Sequence, residues 1–172
     1  MTDKELIRKV QKGDKAALNS IIERYYDDIY RFCLYLTGEE SDSYDITQEV
    51  FLRFIKYLSA YKDNNLKGYL LMIARNMCCT YFGRRKITTD IETIELAEEN
   101  KQLKLVEDKL LLWKLLQKLP LEQREIVVLR IYEELPFKSI AKLLGCNTAT
   151  VKSRYRLGIA HIRKWLEVEQ IG

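Results

Sequence analysis

With 172 residues, 47% of them hydrophobic and 31% charged, the chain can build one domain or two small ones and is too apolar to be a disordered polypeptide. Its longest apolar run, Tyr69 to Ala74, is far shorter than the roughly 18 residues that span a bilayer. Met1 to Glu5 lacks the apolar core of a signal peptide, so a cytoplasmic protein without membrane insertion is expected. Two Pro and seven Gly, against abundant Leu, Ile, Lys and Glu, predict an all-α fold with a net charge of +4.

Thr2 and Glu5 have the spacing of a capping box for a first helix that stops near Gly13. Asp14 can cap a second helix that runs to Gly38, Ser41 or Asp42 can cap a third, and a fourth fills Lys67 to Arg85. On the third helix, Ile46, Val50, Phe51, Phe54, Ile55 and Leu58 share the side expected to be buried. Asp45, Gln48, Glu49, Leu52 and Lys56 fall on the other side. Two carboxylates at i, i+4 can serve a metal or acid–base chemistry, but no His, third carboxylate or Gly-rich loop accompanies them. A leucine among acids suits a partner-binding patch instead, with an ordinary solvated face as the bland alternative.

The fourth helix is predicted to bury Leu70, Leu71, Ala74, Met77, Cys78 and Tyr81. Its reverse face carries Tyr69, Met72, Asn76, Cys79, Thr80 and Gly83, flanked by Arg75, Arg84 and Arg85, after a loop that runs from Ser59 to Asn65. Aromatic, amide and cationic groups together suit unpaired bases, each held by stacking worth about 1 to 3 kcal/mol. A surface helix with a basic end is the plainer reading.

Charge divides the chain into three. Residues 1–88 carry 15 basic and 12 acidic groups, 89–106 carry 2 and 5, and 107–172 carry 12 and 8. The middle piece has no clear amphipathic period and is expected to be a flexible acidic linker, about 60 Å long if extended at roughly 3.3 Å per residue. Acids are absent from Asn64 to Thr89 and from Leu135 to Leu166, which gives two cationic surfaces.

After the linker come a helix from Leu103 to Leu119, another opened by Pro120 and ending near Glu134, and two more around Gly145. The span from Phe137 to Arg154 has the helix, Gly turn, helix spacing of a helix-turn-helix. Ile140, Ala141 and Leu144 face inward, Asn147 caps the second helix, and Val151, Tyr155, Gly158 and Ile162 form its packing stripe. Thr148, Ala149, Lys152, Ser153 and Arg156 are left free for a major groove, with Arg154 and Arg163 suited to phosphates. Cys33, Cys78, Cys79 and Cys146 with the single His161 make no Cys-x-x-Cys pair and no zinc spacing, so neither metal nor cofactor is expected.

In these residues the chain resembles the extracytoplasmic-function (group 4) bacterial RNA polymerase sigma factors. The resemblance is carried by Ile29-Tyr30-Arg31-Phe32, the run from Asp45 to Arg53, Gly68-Tyr69-Leu70, Ile73-Ala74-Arg75-Asn76, Leu119-Pro120, Gln123-Arg124-Glu125, Ile140 to Gly145, and Thr150-Val151-Lys152-Ser153-Arg154. It implies a four-helix region 2 domain over 1–88, a linker over 89–106 and a helix-turn-helix region 4 domain over 107–172.

It further implies that Asp45, Gln48, Glu49 and Leu52 dock on the polymerase clamp helices. Tyr61, Lys62, Asn64, Asn65, Arg75, Asn76, Thr80, Arg84 and Arg85 would melt and read the −10 element. Arg124, Arg130, Thr148, Thr150, Lys152, Ser153, Arg154 and Arg156 would contact the −35 duplex. The implied partners are core RNA polymerase, through its clamp helices and flap, promoter DNA, and an anti-sigma factor. The family usually has Trp where Tyr69 stands, an acid near Thr80 and Gly where Glu134 stands. A non-enzymatic initiation subunit is therefore expected. The alternatives are a stand-alone dimeric helix-turn-helix regulator, which leaves the acidic face without a role, and a nucleic-acid-processing enzyme, for which no nucleophile, metal cluster or phosphate loop stands out.

Overall fold

The computed structural model describes residues 1–62, 65–88 and 104–171, the side chains of 84–88, 104–109 and 169–171 excepted. The described residues form eight α-helices and one 3-10 turn, with no strand among them. They are α1 (Asp3–Gln11), α2 (Lys15–Thr37), α3 (Glu40–Lys56), the 3-10 turn Leu58–Ala60, α4 (Leu66–Thr88), α5 (Lys104–Lys118), α6 (Leu121–Ile131), α7 (Phe137–Leu144) and α8 (Thr148–Ile171). Two compact units result, Met1–Thr80 and Tyr81–Gly172, so the division falls inside α4 and earlier than the expected boundary at residue 88. The expected linker lies outside the described residues, except that α5 has begun by Lys104.

In the first unit the helix ends follow from local hydrogen bonding. Thr2 and Glu5 complete the capping box of α1, and the Asp14 carboxylate accepts the Ala16 and Ala17 N–H groups at the start of α2. Such caps contribute about 1 kcal/mol each. Gly38 stops α2 in a left-handed conformation with φ 75°. Neither Ser41 nor Asp42 caps α3, which starts earlier, at Glu40. The Thr37 and Ser43 hydroxyls lie 2.7 Å apart, and both bond the Glu39 carbonyl, so a buried hydroxyl pair fixes this corner.

The core of this unit is Ile21, Ile29, Phe32 and Leu36 of α2, Val50, Phe51 and Phe54 of α3, and Leu70, Leu71, Ala74 and Cys78 of α4. Ile55, expected on the buried side of α3, is 40% exposed. Its position lies about 40° round the helix from Phe51, on the side toward Gln48 and Leu52.

In the second unit Leu115, Leu116 and Leu119 pack with Ile126, Val128 and Leu129 of α6, Ile140 of α7, and Val151 and Ile162 of α8. Gly158 is buried where α8 meets α6. The turn between α6 and α7 places Glu134 at φ 54°, a left-handed conformation unusual for a side-chain-bearing residue.

Candidate nucleic-acid and partner interface

The second unit builds its outward surface from a short helix, a tight turn and a long helix. Gly145 takes φ 69°, and the N–H groups of Gly145 and Cys146 both close on the Ala141 carbonyl, which ends α7 after eight residues. Asn147 then caps α8, its Oδ1 accepting the Thr150 N–H and the Thr150 hydroxyl, each at 2.8 Å. Val151, Gly158 and Ile162 turn inward, and the Tyr155 ring meets Phe137 edge-on at 5.1 Å. Lys152, Ser153 and Arg156 are exposed on the other side, while Thr148 and Thr150 are half-buried.

The arginines divide by environment. Arg154 is half-exposed, with its guanidinium 3.9 Å from the exposed Glu122 carboxylate, a solvent-screened pair worth little and easily exchanged for a phosphate. Arg130 bonds the Leu135 carbonyl at 3.1 Å and lies 4.3 Å from the centroid of the Phe137 ring, so it braces the turn before α7. Arg124 does not fit the role of a DNA contact. It is 8% exposed and donates to the carbonyls of Leu116, Gln117 and Leu119 at 2.8, 2.9 and 3.0 Å. Its fork ties off the last carbonyls of α5, and burial lowers its pKa to about 10.

On the first unit Asp45, Gln48, Glu49 and Leu52 are all exposed and share one side of α3, Leu52 at 57%. Tyr44 and Ile55 extend this face, the Tyr44 hydroxyl accepting from Gln48 Nε2 at 2.9 Å. Sequence reasoning missed both. The i, i+4 spacing of Tyr44 with Gln48 was the available signal for one, and the breadth of the buried stripe hid the other.

The expected −10 residues are less uniform. Tyr61 is 8% exposed, with its ring centroid 4.9 Å from that of Tyr69 and 6.4 Å from that of Phe54; it is a core residue and not an open platform for a base. Lys62 is exposed. Asn65 caps α4, its Oδ1 accepting the Gly68 N–H and its carbonyl the Tyr69 N–H, each at 3.0 Å. Met72, Asn76 and Thr80 form an exposed row along α4, the Thr80 hydroxyl donating to the Asn76 carbonyl at 3.0 Å. Half-buried Arg75 donates to Asn76 Oδ1 at 3.3 Å. Asn64 and the side chains of Arg84 and Arg85 lie outside the described residues.

No group of three or more His, Cys, Asp or Glu among the described residues can hold a metal ion, and no described helix is long and apolar enough to cross a membrane.

Residues 21–87 match the family model of sigma-70 region 2, and residues 109–162 that of sigma-70, region 4. SigE of Mycolicibacterium smegmatis is 30% identical over 90% of this chain and 64% of its own length, and BldN of Streptomyces coelicolor 27% identical over 88% and 61%. The chain thus spans less than two thirds of those two relatives. SigW of Bacillus subtilis is 28% identical over 96% of this chain and 97% of its own length; all three are described as ECF RNA polymerase sigma factors.

Two solved structures share the fold. CnrH, in complex with the cytosolic domain of CnrY, has a TM-score of 0.75 at 17% identity, covering 96% of this chain and 97% of its own. The Bartonella quintana sigma factor RpoE, with the anti-sigma factor NepR, has a TM-score of 0.72 at 21% identity, covering 87% and 96%. With both region models placed in their order on an all-helical chain, and a relative matched nearly end to end, the protein belongs to the extracytoplasmic-function sigma factors.

Proposed function

We propose that this chain binds core RNA polymerase and directs it to promoters, reading a −35 duplex with α8 and a melted −10 strand with α4 and the loop before it. The work divides between residues 1–88, which dock on the clamp helices and open the −10 element, and residues 107–172, which meet the −35 duplex and the flap. The chain acts as a cytoplasmic, non-enzymatic specificity subunit, RNA synthesis belonging to the core.

The observation that carries this reading is the pairing of two unlike surfaces on one polypeptide. The exposed Asp45–Gln48–Glu49–Leu52 face of α3 suits a protein, and the exposed Lys152–Ser153–Arg156 face of α8 suits a phosphate-lined groove. A stand-alone regulator needs only the second. Trapping one base by stacking is worth about 1 to 3 kcal/mol, while extracting it costs a few, so opening a duplex calls for the larger machine. An anti-sigma partner is part of this reading, supported by RpoE, a sigma factor of related fold solved in complex with the anti-sigma factor NepR.

The test compares gel shift and transcription from promoter fragments with and without purified core. Sequence-dependent DNA binding and initiation that require both chain and core support the assignment. Equal duplex binding by the free chain assigns it to stand-alone regulation.

A further inference from the structure

Leu157 stands out on α8 because packing does not account for it. It is 50% exposed, on the side of the helix away from buried Val151 and Ile162 and one turn beyond Ser153. Its exposed neighbours are Ser153, Arg156, Ala160 and Lys164, small or cationic, and no acid occurs from Leu135 to Leu166. At about 1.5 Å per residue, Ser153 and Leu157 are about 6 Å apart along the axis, within the span of one groove roughly 12 Å wide.

We propose that Leu157 is a specificity-determining residue that reads the C5-methyl group of a thymine in the upstream duplex. The inference rests on α8 being the duplex reader. When a cationic helix face closes on DNA, water leaves, and every group on it must find a match. Arginine, lysine and serine have phosphates and base edges to bond; leucine has none of these. The major-groove edge of the base pairs consists of donors, acceptors and one apolar group, the thymine methyl. Against a G·C pair leucine would strip water from polar atoms without replacing their hydrogen bonds, which is unfavourable. Against thymine it buries carbon on carbon. One methyl group so buried is worth about 0.8 kcal/mol, or roughly fourfold in affinity at 1.4 kcal/mol per decade.

The experiment uses the full chain bound to core polymerase. Duplexes selected by that complex from a random pool define the upstream element, and each thymine in it is then replaced singly by deoxyuridine, which removes only the methyl. The expected result is a loss of about fourfold at one or two positions for the native chain, and no further loss at those positions for Leu157→Ala, whose binding to the thymine duplex is already lower by a similar factor. Uracil tolerated at every position, or a uracil penalty that persists in Leu157→Ala, overturns the inference while leaving α8 as the reader. Selection yielding no upstream sequence preference overturns both. A loss of core association by Leu157→Ala in the absence of DNA assigns the leucine to a protein surface and also overturns it.

Discussion

A β-carbon on Gly158 of α8 would come within 2.9 Å of the Val127 Cγ2 of α6, so this crossing has no room for a side chain on α8 unless Val127 moves. Alanine is the better helix former by about 1 kcal/mol, yet Gly158→Ala is expected to destabilise the second unit by about 1 to 2 kcal/mol through overpacking. Adding Val127→Ala should recover part of that loss, with a coupling of at least about 0.5 kcal/mol. Both tryptophans, Trp113 and Trp165, lie in this unit, so urea unfolding followed by their fluorescence reports on it selectively. Additive losses would mean that the helices are not locked at this contact.

Arg124 supports α5 through three carbonyls, and only a planar fork reaches all of them. Arg124→Lys should therefore destabilise almost as much as Arg124→Ala, by about 2 to 3 kcal/mol. Neither should change the slope of log affinity against log salt for DNA, measured where the variants remain folded. Arg156→Gln should reduce that slope by about 1. A slope change in Arg124→Lys would return this residue to the phosphate contacts.

Glu134 holds a left-handed backbone, the conformation that favours glycine. A side chain there costs roughly 1 to 2 kcal/mol, offset in part by the extra freedom glycine brings to the unfolded chain. Glu134→Gly is expected to raise stability by about 0.5 to 1 kcal/mol, and Glu134→Ala to leave it nearly unchanged. Matched thermal melts of the two variants decide the point.

The two proposed interfaces should fail separately. Lys152→Ala is expected to weaken upstream-element binding by the core complex about threefold to tenfold without loss of core affinity. Asp45→Ala combined with Glu49→Ala should lower core affinity and leave α8 folded, as read by the Trp165 signal. The same core-binding defect from both would show that the roles are not divided as proposed. Native binding should weaken by about 10³ to 10⁵ between low and moderate salt if 6 to 10 phosphates are neutralised.

Much of this architecture was legible in the residues because its signals are local. Thr2 with Glu5, Asp14, Gly38, Gly145 and Asn147 mark helix ends through bonds within a few positions, and the structure has each of them in that role. What the sequence hid are contacts made across a turn between residues five to eight positions apart, which no periodic pattern within one helix records. Arg124 and an open arginine look alike until α5 is seen to end against α6. Tyr61 resembles a stacking platform until Phe54 and Tyr69 close over it. The start of α3 depends on a hydroxyl pair from Thr37 and Ser43 that no single-helix cap rule describes.

The Gln11 carboxamide donates to the Leu58 and Tyr61 carbonyls, at 3.1 and 3.4 Å, across some fifty residues of chain. The first helix thereby acts as a guy-rope for the 3-10 turn ahead of α4. Truncations or fusion tags that disturb the first eleven residues will slacken a segment far downstream, so altered strand capture in such variants need not implicate the loop's own sequence.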